Sequence, residues 1–180
     1  MSSKAARRYA SALLSFAIET KKVDSILKDM ESIKKTVDDS KELILFLKSP
    51  IIRDDKKAGV LAEVFKKRVS SETWSFIELL ADKSRLDILP AVSDAFFKAY
   101  NKHAGIIEIS VITAKQTEKA QLDAIQKALE AKTGLKVKLS SSQSEDLIGG
   151  IVIKMEDTVI DGSVKNKLQQ LEHTFYQAVI

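Results

Sequence analysis

A helical bundle followed by a small α/β domain is the fold class this chain predicts, and three observations carry it. Through about residue 104, apolar residues recur at spacings of three and four, the period of a helix face. At Gly105 the period changes to alternation, as in a half-buried strand. Beyond it strand-like and helix-like stretches take turns, with no Gly/Ser-rich or Pro-rich linker at the change. The expected domains are 1–104, a six-helix bundle, and 105–180, a mixed sheet of about four strands with two helices.

Each element has its own signals. The first helix, about 4–20, carries Ala6, Ala10, Leu13 and Ala17, and beside them Ala5, Tyr9, Ala12 and Phe16. Together these make a wider apolar arc than a helix packed on one side needs. A second helix, about 22–38, has Val23, Ile26, Leu27, Met30, Ile33 and Val37 on one side. Leu43 to Leu47 form a short helix that must stop before Pro50. Asp54 is expected to cap a fourth helix, with Lys66-Lys67-Arg68 in its last turn. Ser70 or Ser71 caps a fifth. Trp74, Ile77 and Ala81 form one stripe of it; Phe76, Leu79, Leu80 and Lys83 form another, again a wide arc. Asp87 is expected to cap a sixth helix, with Pro90 in its first turn, running to Gly105.

In the second half Ile107, Ile109 and Val111 alternate as a strand. A helix over 117–132 carries Leu122, Ile125 and Leu129 and closes at Gly134. Leu135, Val137 and Leu139 read as a second strand, and Ser140 to Ser144 as a loop. Ile151 to Ile153 and Val159 to Asp161 then form a hairpin, and Ser163 caps the last helix. Val164, Leu168, Leu171 and Phe175 share one face of that helix. Gly149-Gly150 stands where a strand begins, so the backbone there needs a bulge or a close approach.

Composition narrows the function. With 44% apolar and 30% charged residues, the 180-residue chain is an ordinary globular sequence. It holds no cysteine, which excludes disulfides and thiolate chemistry. No apolar run is long enough for a membrane span, and Met1 leads directly into helical sequence without a secretory signal. The net charge is +5 over residues 1–104 and −1 over 105–180. That distribution reads as a mixed solvated face, although a helical nucleic-acid-binding protein with a small accessory domain is the alternative it leaves.

A search for chemistry finds little. His103 and His173 sit at helix ends without a partner. Gly149-Gly150 precedes strand residues rather than the helix start that phosphate binding requires. Asp161-Gly162-Ser163 does open a helix, but capping accounts for it, and the nucleophile-elbow pattern is missing. Asp146, Glu156, Asp157 and Asp161 fit turn chemistry better than a metal loop. The wide arcs of the first and fifth helices are what remains. Such a surface either packs inside the bundle or receives a partner helix.

The residues also carry a family resemblance. Ala6-Arg7-Arg8-Tyr9-Ala10-Ser11-Ala12-Leu13, Ser49-Pro50-Ile51-Ile52, Leu79-Leu80-Ala81 with Arg85-Leu86 and Leu89-Pro90, and Leu147-Ile148-Gly149-Gly150 with Val159-Ile160-Asp161-Gly162-Ser163 appear in that order. In this the chain resembles the delta subunit of the F-type ATP synthase, the oligomycin-sensitivity-conferring protein of mitochondria. One departure is Met155-Glu156, where many relatives have glycine. The resemblance implies a stator subunit that catalyses nothing and needs no cofactor or metal. It implies that a groove between the first and fifth helices receives the N-terminal helix of an alpha subunit. Tyr9, Ala12, Leu13, Phe16, Phe76, Leu79, Leu80 and Lys83 are the candidate groove residues. The C-terminal domain would bind the C-terminal ends of the b subunits, with beta subunits as further candidates. Gly149, Gly150, Asp161, Gly162 and Ser163 would be structural. The expected location is the cytoplasmic face of a bacterial membrane, reached only through the complex, with no nucleic-acid partner.

Overall fold

A computed structural model describes residues 4–115, 118–155 and 158–178. Two compact units divide at Tyr100 and Asn101, where the sequence pointed to 104/105. The first contains helices α1 (Lys4–Glu19), α2 (Val23–Asp39), α3 (Lys41–Lys48), α4 (Asp54–Phe65) and α5 (Ser71–Asp82). A 3₁₀ turn (Leu86–Ile88) and α6 (Leu89–His103) follow, and the end of α6 belongs to the second unit.

The core of the helical unit follows the apolar stripes. Ala6, Ala10 and Ala17 of α1 are wholly buried, as are Ile26, Met30 and Ile33 of α2, and Phe65, Leu80, Leu89 and Phe96 further on. A charged residue of α2 lies among these apolar positions. Asp29 of α2 accepts hydrogen bonds from the N–H and the hydroxyl of Ser70 and from Thr73 Oγ1, the last at 2.7 Å. Ser70 is the N-cap of α5, accepting from the Thr73 N–H at 3.4 Å. A carboxylate of α2 thus sits at the positive end of α5.

Three local expectations need correction. Asp54 is the first helical residue of α4, and the extended Arg53 occupies the cap position without a side-chain bond. Asp54 instead lies 3.9 Å from the buried Lys57 Nζ. Asp87 falls within the 3₁₀ turn and does not cap α6. That tighter turn puts side chains three residues apart on one side, and it buries both Leu86 and Leu89. Lys66-Lys67-Arg68 follow α4, which ends at Phe65; the Lys66 ammonium stands 5.6 Å from the Trp74 ring centroid.

The second unit holds β1 (Ile106–Thr113), α7 (Lys119–Thr133), β2 (Lys136–Gln143), a 3₁₀ turn (Glu145–Leu147), β3 (Ile151–Met155), β4 (Thr158–Asp161) and α8 (Val164–Ala178). The sheet order is β2-β1-β3-β4, with β1 and β2 parallel and the other pairs antiparallel. Ile107, Ile109 and Val111 share a face with Val137, Leu139, Ile153 and Met155, and Ile125 and Leu129 of α7 pack on it. Gly134 closes α7 in the left-handed conformation at φ 68°. Ser140, Ser141, Ser142 and Gln143, expected within a loop, are strand: they continue the register with β1, opposite Ser110, Val111, Ile112 and Thr113 in turn. Backbone pairing overrides the local preference of a serine run for turns. The turn residues Glu156 and Asp157 lie outside the described residues.

Candidate functional site

The outer edges of α1 and α5 meet. The Tyr9 and Phe76 rings stand edge to face, with centroids 6.5 Å apart and planes at 69°. This is the favoured geometry for an aromatic pair. Around it the candidate residues divide by depth. Leu13 and Leu80 lie in the core, and Phe76 is nearly enclosed. Ala12 and Lys83 are exposed, as are Phe16 (43%) and Leu79 (45%). Of the candidate set, Ala12, Phe16, Leu79 and Lys83 are thus exposed and Tyr9 is half-buried. Leu13 and Leu80 support this surface from beneath. Beside it Lys22, in the turn after α1, pairs with Glu72 in the first turn of α5. That ammonium holds the Glu72 carboxyl below its ordinary value.

A second apolar surface escaped the sequence reading. Val164, Leu168, Leu171 and Phe175 share a face of α8 as expected, yet all four are exposed, Phe175 by 70%. On β4, Val159 and Ile160 are exposed too. The α8 residues, four, three and four apart, have the spacing of a seam between two helices. A same-face row is read as core by default, and only the small size of the sheet's covered face hints that α8 is left over.

The glycine-rich stretch has a different task. Gly150 adopts φ +81°, and a Cβ placed there would stand 2.4 Å from the Gly162 carbonyl oxygen. The close approach is made to the chain's own backbone. Across it the Gly162 N–H donates to Ile151 O and the Val164 N–H to Gly149 O, each at 2.9 Å. Ser163 Oγ accepts from the Asn166 N–H at 3.1 Å, capping α8. Asp161 Oδ1 accepts from the Ser163 N–H at 2.9 Å. The start of β3 and the start of α8 are thereby tied together, which leaves the helix N-terminus satisfied from within.

Hydrogen bonds from Ser163, side chain and then backbone, hold the Asp161 carboxyl below its ordinary value of 3.8. The Val137 N–H and then the Gln126 amide lower that of Glu130 from 4.5. Both contacts favour the carboxylate in the folded state. Their contribution is complete above the ordinary values and is lost as pH falls through the lowered ones. The denaturation midpoint of the second unit should be flat from roughly pH 5 to 7 and decline below about pH 4. Asp161→Asn should flatten part of that decline in urea titrations; a decline parallel to the parent's would remove Asp161 as a source.

No group of three or more His, Asp or Glu side chains is placed to hold a metal among the described residues. Nor is any described helix long and apolar enough to cross a membrane.

Residues 5–175 match the family described as ATP synthase delta (OSCP) subunit. The chain belongs to that family. It is 39% identical over 168 residues to ATP synthase subunit delta of Chlorobaculum parvum, covering 93% of each chain. It is 36% identical over 170 residues to that of Chlorobaculum tepidum, covering 94% of each. A chain of the Toxoplasma gondii mitochondrial ATP synthase hexamer, seen by cryo-EM, shares the fold with a TM-score of 0.72 at 24% identity. The match covers 97% of this chain and 98% of that one. As a delta-family member the chain is a non-catalytic stator subunit of the peripheral stalk of ATP synthase, contributing to ATP synthesis through the complex. The nucleic-acid-binding alternative gains no support from the family or from these relatives.

Proposed function

We propose that this delta-family subunit joins the catalytic head to the b subunits through its two apolar surfaces, one on each unit. The row of Tyr9, Ala12, Phe16 and Leu79 takes the N-terminal helix of an alpha subunit. The exposed row on α8 takes a helical C-terminal end of b. Contact with beta subunits is a further expectation of the same seat on the head. The chain then lies at the cytoplasmic face of the bacterial membrane and reaches it only through the complex. Held at both ends, it resists the torque of rotation so that proton flow stays coupled to ATP synthesis.

The observation that carries this reading is the exposure of Phe16 and Leu79 beside the Tyr9–Phe76 pair. Large apolar side chains grouped on one surface gain by being covered, and a helix face covers two parallel rows well. Ala12→Asp places a carboxylate on the α1 side of this surface, and because Ala12 is already exposed the helical unit should keep its fold. Leaving that charge without a partner under a docked helix costs on the order of 2 kcal/mol, or ~30-fold in affinity. Calorimetry with an alpha N-terminal peptide measures it. Unchanged affinity in a folded variant would rule out this surface.

A further inference from the structure

The sheet has two edge strands, β4 and the longer β2; among the described residues only β1 pairs with β2. The Lys136 N–H points to β1, donating to Gly105 O at 3.0 Å. By alternation Val137, Leu139 and Ser141 turn their N–H and C=O groups outward. At Val137 these groups are not open. Glu130 Oε1 accepts from the Val137 N–H at 3.1 Å, and Gln126 Nε2 donates to the Val137 carbonyl at 2.9 Å. Gln126 Nε2 also lies 3.3 Å from Glu130 Oε1, one helical turn away on α7. One acceptor and one donor, braced against each other, therefore meet Val137 as a neighbouring strand would.

We infer that Gln126 and Glu130 are a side-chain substitute for a missing strand, and that they close the β2 edge against pairing with a second copy of this chain. Bulk does not close it: an open hollow of about 780 Å³ lies beside the edge, lined by Gln126, Glu130, Leu135, Val137 and Lys138. An incoming strand has room to enter and must be refused by occupied hydrogen-bonding groups. Val137 is the critical position because its side chain is buried, so its backbone is held rigid and extended, a ready template for strand addition. The residues beyond it, Ser140 to Gln143, are polar and exposed and template a partner less well. A second copy is the relevant intruder because two identical free edges pair antiparallel about a two-fold axis, each supplying what the other lacks.

Two measurements test this on the full chain. By amide exchange in NMR, the Val137 N–H should exchange at least tenfold more slowly than the outward Leu139 and Ser141 amides. Glu130→Ala should erase that difference, whereas Glu130→Gln, which keeps an acceptor oxygen, should preserve it. Equal exchange at Val137 and Leu139 in the parent overturns the proposal. By sedimentation velocity, Gln126→Ala with Glu130→Ala should associate to dimers at concentrations where the parent's mass is unchanged. Adding Ser141→Pro, which removes an outward donor that bonds nothing in the sheet, should restore the parent's behaviour. No extra association, or association that the proline leaves intact, overturns it. Should the double variant fail to fold, the comparison of Val137 amide exchange in Glu130→Ala and Glu130→Gln decides alone.

Discussion

Gly150→Ala is expected to unfold the second unit. Alanine at φ +81° is strained before any contact is considered, and its Cβ would stand 2.4 Å from a backbone oxygen that is itself fixed. The Gly162 carbonyl cannot retreat without breaking the adjacent bonds of Gly162 to Ile151 and of Val164 to Gly149. Strain and clash together amount to at least about 3 kcal/mol. The buried core of this unit is small, with Ile109, Val111 and Val137 at its centre, so a loss of that size removes most of its stability. Gly149→Ala is the control. Its Cβ would lie 3.1 Å from a Val164 methyl, the end of a side chain, and its φ is ordinary. Hydrogen exchange should show protection lost across 106–163 for Gly150→Ala and largely kept for Gly149→Ala. Comparable protection in the two variants would show that the close approach is not what holds the unit together.

Asp29→Ala should produce the largest effect in the helical unit. It leaves the Ser70 N–H, the Ser70 hydroxyl and the Thr73 hydroxyl without their shared acceptor, and Thr73 is completely buried. The expected cost is about 3 kcal/mol, on the order of 15 °C in the melting midpoint of a unit this size. Asp29→Asn keeps one acceptor oxygen and should fall between the two. Trp74 is the only tryptophan and lies on α5 just past this cap, so its fluorescence follows the transition directly. If Asp29→Ala melts within a few degrees of the parent, water has replaced the carboxylate and the contact is not structural. The same variant should weaken alpha-peptide binding in proportion to the loosening of the start of α5.

These two residues illustrate what was legible in the sequence. The close approach at Gly149-Gly150 could be read from two glycines at a strand start. Its target, Gly162-Ser163, could not, because nothing local indicates which backbone arrives there. Asp29 carries a signal of its own: it lies three residues after Ile26 and four before Ile33, a charged residue within a core stripe. The two wide arcs on α1 and α5 were visible from spacing alone. Which side turns inward depends on the neighbouring helices, and the structure puts Leu13 and Leu80 within and Phe16 and Leu79 without. The longer β2 was hidden for a similar reason. Ser140 to Gln143 are strand only because β1 lies alongside them. Gln126 and Glu130 form an ordinary polar pair one helical turn apart until the strand edge beneath them is known.

The uncovered row of Val164, Leu168, Leu171 and Phe175 on α8 has a consequence for temperature. Contacts made by covering apolar side chains bring a negative change in heat capacity, and their driving force fades on cooling. Under the proposed docking, a joint whose second seat is such a row grips more firmly at growth temperature than on ice. On that proposal isolation in the cold works against the bond between this subunit and the stalk, while sulfate, which strengthens apolar burial, works for it.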